Sequence, residues 1–136
     1  MKTENLQEWI GKTEERSDLL NAFPANAMAA TLNHKKLDYS ENKNLPPLWH
    51  WLYFLPIFKL SEAGYDGHAA LGDFLPPVQL PRRMWAGSRI EFLSPLKVGN
   101  EYKKKSKIKD VTAKSGRSGD LVFVTVSHKV SNGPTT

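Results

Sequence analysis

The chain has 136 residues, 40% of them hydrophobic and 24% charged, proportions that exclude a low-complexity or wholly disordered protein and fit one small domain spanning 1–136. It contains no cysteine, which excludes a disulfide framework, a thiolate zinc site and a cysteine nucleophile, and makes a reducing, cytoplasmic setting the expectation. The net charge of +5 favours polyanionic company: nucleic acid, an anionic membrane surface or a phosphorylated cofactor.

Residues 1–10 are polar and lack the apolar core of a secretory signal, so no export is expected. Pro24 suits the first turn of a helix, and Ala25, Met28, Ala29 and Leu32 follow at the spacing of one helical face, predicting a short helix over 24–32. Residues 33–44 are polar and aperiodic, a loop leading into Leu45-Pro46-Pro47. The apolar run over 45–60 is broken by Pro46, Pro47, His50, Pro56 and Lys59, which leaves it short of the roughly 20 residues of a membrane span. Within it, 48–55 (Leu-Trp-His-Trp-Leu-Tyr-Phe-Leu) is apolar on nearly every side, which predicts an enclosed helix ending or kinking at Pro56.

Residues 61–81 carry Gly64, Gly67, Gly72, Pro76, Pro77 and Pro81 without a period. Such long loops are often functional, though a covering role is an equal alternative. Thereafter Ile90 and Phe92 alternate with Arg89 and Glu91, predicting a first strand. A second is expected over 101–111, with Lys103, Lys105, Lys107 and Lys109 on one face. A third is expected over 121–130, with Val122, Val124, Val126, His128 and Val130 on one face. The Gly-rich stretch 112–120 suits an antiparallel hairpin between them. Asn132-Gly133 is a further hairpin signal with three residues after it, so the third strand's edge is expected to need a partner.

An apolar helix packed on an antiparallel sheet defines an α+β fold. The segments Leu-Pro-Pro-Leu-Trp-His-Trp-Leu-Tyr-Phe-Leu-Pro (45–56), Asp-Gly-His (66–68), Phe-Leu-Pro-Pro-Val-Gln-Leu-Pro-Arg-Arg-Met-Trp-Ala-Gly (74–87), Pro-Leu-Lys-Val-Gly (95–99) and Gly-Arg-Ser-Gly-Asp-Leu-Val-Phe-Val-Thr-Val (116–126) add a closer likeness. Over about residues 9–130 the chain resembles the N-terminal domain of MaoC-like acyl-CoA dehydratases, in the branch of mesaconyl-CoA and itaconyl-CoA hydratase-like proteins. The resemblance implies a hot-dog fold, a sheet wrapped around a central helix, and the first of two such repeats. The family's chemistry uses an Asp and a His from an Asp-x-Asn-Pro-x-His motif, one acting as base and the other as acid or orienter. At the corresponding place stands Asn33-His34-Lys35-Lys36-Leu37-Asp38, with the order reversed and no Asn-Pro.

Candidate catalytic groups reduce to Asp66 and His68, weighed against a turn-capping role for Asp66 and a packing or exposed role for His68. His50 is expected to be a hydrogen-bonded core histidine, and His34 and His128 carry no signal. The four histidines lack metal-ligand spacing, so no metal site is expected. Arg82, Arg83 and Trp85 are candidates to grip a diphosphate and stack an adenine of CoA; the alternative pairs one arginine with an acid such as Asp73 and puts Trp85 in the core. Arg117, in Gly116-Arg117-Ser118-Gly119, is a weaker phosphate candidate than a plain turn residue. The lysine face suits a phosphate backbone but lacks interleaved aromatics, and lysines also guard sheet edges, so nucleic acid is disfavoured.

These readings make the chain the non-catalytic half or subunit of an acyl-CoA hydratase/dehydratase, a lyase acting on a thioester. Acyl-CoA is then substrate rather than cofactor, and the partner, in a homo- or heterodimer, is a second hot-dog domain supplying the Asp and His. The alternatives are a homodimer using His68 as base, a stand-alone acyl-CoA binder and a basic nucleic-acid-binding module.

Overall fold

The computed structural model describes residues 5–132. Three strands, β1 (Thr13–Leu19), β2 (Glu101–Gly116) and β3 (Gly119–Ser131), form an antiparallel sheet in the order β1-β2-β3, and one α-helix, α1 (Ala22–Thr31), accompanies them among the described residues. The architecture is the α+β class expected. The chain divides into two compact units: one takes in the chain up to Glu15 with Pro56–Gly87 and Lys105–Lys129, the other Arg16–Leu55, Ser88–Lys104 and the chain from Val130 on.

Helix α1 starts two residues before Pro24, whose missing N–H is harmless in a first turn. It ends where Asn33 adopts φ 60°, with Asn33 N–H bonding Ala30 O and His34 N–H bonding Ala29 O, the paired capping bonds of a left-handed terminus. Ala25 and Ala29 are fully buried, whereas Leu32 is exposed rather than on the packed face. Ala25 shares the core of this unit with Leu20, Leu45, Tyr53, Phe54, Val98 and Tyr102. The polar loop after α1 is held to it by Asn26, whose amide exchanges two 3.0 Å bonds with the Tyr39 backbone.

β1 was not evident in the sequence, because Thr-Glu-Glu-Arg-Ser-Asp-Leu carries no apolar alternation. Its half-buried side chains are Glu14, Arg16 and Asp18. The β1–β2 ladder is bracketed by two bulges that need glycine. Gly11 (φ 93°) N–H bonds Ile108 O while Ile108 N–H bonds Lys12 O, and Gly99 (φ 90°) N–H bonds Leu20 O while Leu20 N–H bonds Asn100 O. An extra residue in the left-handed conformation is what such a bulge inserts.

β2 and β3 form the expected hairpin, but the expected connection 112–120 is strand except for a two-residue turn, Arg117-Ser118, closed by the Ser115 hydroxyl donating to Asp120 Oδ1 at 2.7 Å. Lys103, Lys105, Lys107 and Lys109 are exposed as expected, but β2 is the central strand, so they are not an edge defence. On the other face lie Tyr102, Ser106 and Ile108; the pattern then slips by one to Val111, as an inserted residue would cause. Ser106, 1% exposed, meets His128 Nδ1 at 2.7 Å, so His128 satisfies a buried hydroxyl. Leu6, Ile108 and Val111 centre the second core, with Trp9, Phe74, Val78, Val122, Val124 and Val126 around them.

Two expectations are corrected. The run 48–55 does not form an enclosed helix: it holds one 3-10 turn, Trp49–Leu52, with Leu48 (φ 74°) and Phe54 (φ 58°) left-handed on either side and Trp51 exposed. Prolines at 46, 47 and 56 leave too little room for hydrogen-bonded α-turns. The helix of this fold is α1. Secondly, residues 89–93 form no strand among the described residues, and Ile90 and Phe92 are exposed. Alternation alone makes no strand without a neighbour for its backbone groups. Of the Asn132-Gly133 signal, Gly133 lies outside the described residues.

Candidate functional site

The loop 61–87 folds on itself before it lines anything. A 3-10 turn at Leu60–Glu62 leads to an Ala63–Ala69 bridge, flanked by Gly64 N–H to His68 O (2.7 Å) and Ala70 N–H to Glu62 O (3.1 Å). Gly67 (φ 82°) turns the tip. Asp66 Oδ1 accepts the His68 backbone N–H at 3.1 Å, the turn-capping role weighed for it. Its other oxygen, Oδ2, lies 3.2 Å from Arg83 Nε. The Tyr65 hydroxyl donates to Pro81 O, tying the tip to the segment that carries the arginines.

Behind this tip is a cavity of about 390 Å³. Its wall is mostly apolar, built from Leu71, Leu75, Pro76, Val78, Leu80 and Met84 of the loop, with Val122 and Val124 of β3 as a rigid backing. Asp66, Arg82 and Arg83 supply charge, and Tyr65 borders them. An apolar chamber with a few convergent polar groups is the usual form of a small-molecule site.

Three of the six sequence candidates therefore meet at one place, and three do not. His68 is exposed on the loop tip and is not part of the cavity lining. Trp85, 71% exposed, neither fills a core nor lines the cavity, and Arg117 sits on the hairpin turn. The acid that pairs with an arginine is Asp66, not Asp73, whose backbone carbonyl instead accepts Lys12 Nζ. Among the described residues Arg82 has no ion-pair partner. The lining missed in the sequence, Leu71, Leu75, Val78 and Leu80, has no period; only the Val122/Val124 alternation was visible.

The residues at the place of the hydratase motif have other occupations. His34 stacks at a tilt on Trp49 (centroids 5.9 Å apart), and Asp38 binds Lys43 Nζ at 2.9 Å, which holds its carboxyl below the usual range. His50 is half-buried on the 3-10 turn with its ring edge toward Trp51, not in a core. Burial pushes its pKa down, and the Lys104 charge adds to this. Tyr53 donates to Asn21 O at 2.6 Å; burial raises its pKa, against a backbone hydrogen bond, and Asp18 raises it further. Among the described residues no cluster of three or more metal-ligating side chains occurs, and no helix is long and apolar enough to cross a membrane.

An apolar chamber with two arginines in its wall suits an apolar ligand that carries an anionic group. Residues 48–135 match the model of the hydroxyacyl-thioester dehydratase type 2 family, and the chain belongs to that family, with its hot-dog fold. Over 130 residues it is 44% identical to the mesaconyl-C(4)-CoA hydratase of Chloroflexus aurantiacus, an alignment covering 96% of this chain. It covers 46% of that hydratase, so the chain spans about half the length of the curated relative it matches.

Proposed function

We propose that the chain is the acyl-CoA-binding, non-catalytic half of an acyl-CoA hydratase/dehydratase, and that a second hot-dog domain supplies the Asp and His that hydrate the enoyl thioester. The observation that carries this reading is the composition of the cavity. It offers apolar walls for an acyl or pantetheine chain and Arg82 and Arg83 for a phosphate, but its carboxylate, Asp66, is bound to Arg83. Its two oxygens are taken by the Arg83 guanidinium and the His68 backbone N–H, so neither is set to draw a proton from a water in the cavity. No histidine is among the lining residues.

Within this reading Arg82 is the first contact for phosphate, since a planar guanidinium grips two oxygens at once. Val122 and Val124 hold the chain against the sheet. The experiment is reconstitution: the chain co-expressed with a partner domain carrying the Asp-x-Asn-Pro-x-His motif hydrates an enoyl-CoA, and the partner alone does so poorly. Equal activity with and without the chain overturns the reading.

A further inference from the structure

The loop tip and the arginine segment are separate parts of one cavity wall. Gly64, Tyr65 and Asp66 line the cavity from the tip, and Arg82, Arg83 and Met84 line it from the segment. Two side-chain bonds join them: the Tyr65 hydroxyl donates to Pro81 O, and Asp66 Oδ2 lies 3.2 Å from Arg83 Nε. Tyr65 and Met84 are 83% and 84% exposed while lining the cavity, so the join lies at its rim rather than its floor. Among the described residues the main-chain bonds of the tip stay within the loop: the Ala63–Ala69 bridge, Gly64 N–H to His68 O, Gly67 N–H to Gly64 O and Ala70 N–H to Glu62 O. The tip is thus a folded unit that can swing away from the segment without breaking its own bonds.

One of the two joining bonds sits where an anionic ligand acts. The Asp66 and Arg83 side chains are 24% and 35% exposed, so solvent screens the pair and it is weak. Arg83 is also one of the two guanidiniums that the cavity offers to an anion, and phosphate, whose oxygens match the guanidinium fork, competes strongly with a carboxylate for it. From this we infer that Asp66 and Tyr65 form a latch across the cavity rim, which the phosphate end of an acyl thioester opens by taking Arg83 from Asp66. The inference rests on the reading of the cavity as an acyl-CoA site and adds a selectivity to it. A thioester that carries phosphate releases the tip by its own binding. A neutral thioester binds only the fraction of chains whose tip has opened unaided, and its affinity falls in that proportion.

The test is amide hydrogen exchange of the tip, followed by NMR on the full chain, with calorimetry for binding. In the wild type, inorganic pyrophosphate speeds exchange at Gly64, His68 and Ala70 by about two- to fivefold, the range set by losing one exposed ion pair. Asp66→Asn keeps an oxygen to cap the His68 N–H but gives up the pair. Its tip exchanges faster by the same factor without any ligand, and pyrophosphate adds nothing. Tyr65→Phe, which removes the other bond, also speeds exchange and still responds to pyrophosphate. The N-acetylcysteamine thioester of crotonate carries no phosphate, yet it binds Asp66→Asn more tightly than the wild type by that factor, a gain that charge alone does not give a neutral ligand. Tip exchange that slows or stays constant with pyrophosphate overturns the latch. So does an Asp66→Asn tip that exchanges like the wild type, or a neutral thioester that binds both chains equally. Crotonyl-CoA binding is measured alongside. A tip that pyrophosphate releases in a chain that binds no crotonyl-CoA removes only the acyl-CoA reading, and crotonyl-CoA bound without faster tip exchange removes only the latch.

Discussion

Asp66 ties the tip of its own loop to the segment that carries the arginines: one carboxylate oxygen accepts the His68 N–H at 3.1 Å and the other lies 3.2 Å from Arg83 Nε. A single side chain thus caps the turn and neutralises one of the two arginines in the cavity wall. The pair is partly exposed, so its contribution to stability is small. Its larger effect is on the site, where it leaves Arg82 as the cation available to an anionic ligand.

Arg82→Ala therefore weakens acyl-CoA binding by about tenfold, the loss of one charge-assisted contact. Asp66→Asn acts in the opposite direction. It removes the charge that competes for Arg83, so affinity rises a few-fold and the salt dependence of binding steepens as a second cation engages. Calorimetric titrations at two ionic strengths check both. Equal losses in the two variants would show that the pair, not Arg82, holds the ligand.

His68 gives its backbone N–H to Asp66 and its carbonyl to the Gly64 N–H, main-chain contacts that any residue but proline preserves. His68→Ala accordingly leaves the hydration rate of the reconstituted enzyme within about twofold of wild type, the ordinary range for an exposed substitution. A homodimer using His68 as base would instead lose most of its rate.

The parts legible in the sequence are those set by local chemistry. The β2–β3 hairpin was readable from alternating valines and glycines, α1 from Pro24 and its spacing, and the Asp66 turn from the Asp-x-x spacing itself. What was not legible depends on neighbours. β1 has no apolar face and becomes a strand because β2 offers it a ladder between two glycine bulges. Residues 48–55 have the composition of a buried helix, yet their flanking prolines and the bond from Phe54 N–H to Asp18 Oδ2 (3.0 Å) hold a shorter turn. The cavity joined Asp66 to Arg83 across a loop whose residues carry no period, so composition named the arginines but not their partner.

Two left-handed glycines, one at the loop tip and one at a bulge, predict a ranking of stability losses. Gly67 and Gly99 both have positive φ, so alanine at either meets backbone strain of about 1–2 kcal/mol. At Gly67 the new methyl finds open space, whereas at Gly99 it lies 2.9 Å from Glu41 Cγ and 3.5 Å from Glu41 Cα. Gly99→Ala is thus the more costly, by about 1 kcal/mol or more. Denaturant unfolding checks this, with Glu41→Ala added to Gly99→Ala recovering part of the excess. Equal losses at the two sites would mean that Glu41 moves aside freely.

His50 predicts a pH effect of definite sign. Its ring is half-buried with Lys104 acting on it, so protonation is disfavoured in the folded chain and its pKa lies below the ordinary value of about 6.5. Between the folded and unfolded values the unfolded chain binds more protons, so stability rises with pH there. The contribution is fully present above about 6.5 and is lost as pH falls through the folded value. Asp38, held low by Lys43, loses its contribution only in the carboxylate range, well below this window. Unfolding free energies of wild type and His50→Asn, measured from neutral pH to about pH 5, isolate the histidine. The wild type loses more stability over that interval than the variant does, and replacing Lys104 by Met narrows the difference by removing the charge that acts on the ring. Parallel curves for wild type and His50→Asn would show that the ring takes up its proton as easily in the folded chain as in the unfolded one.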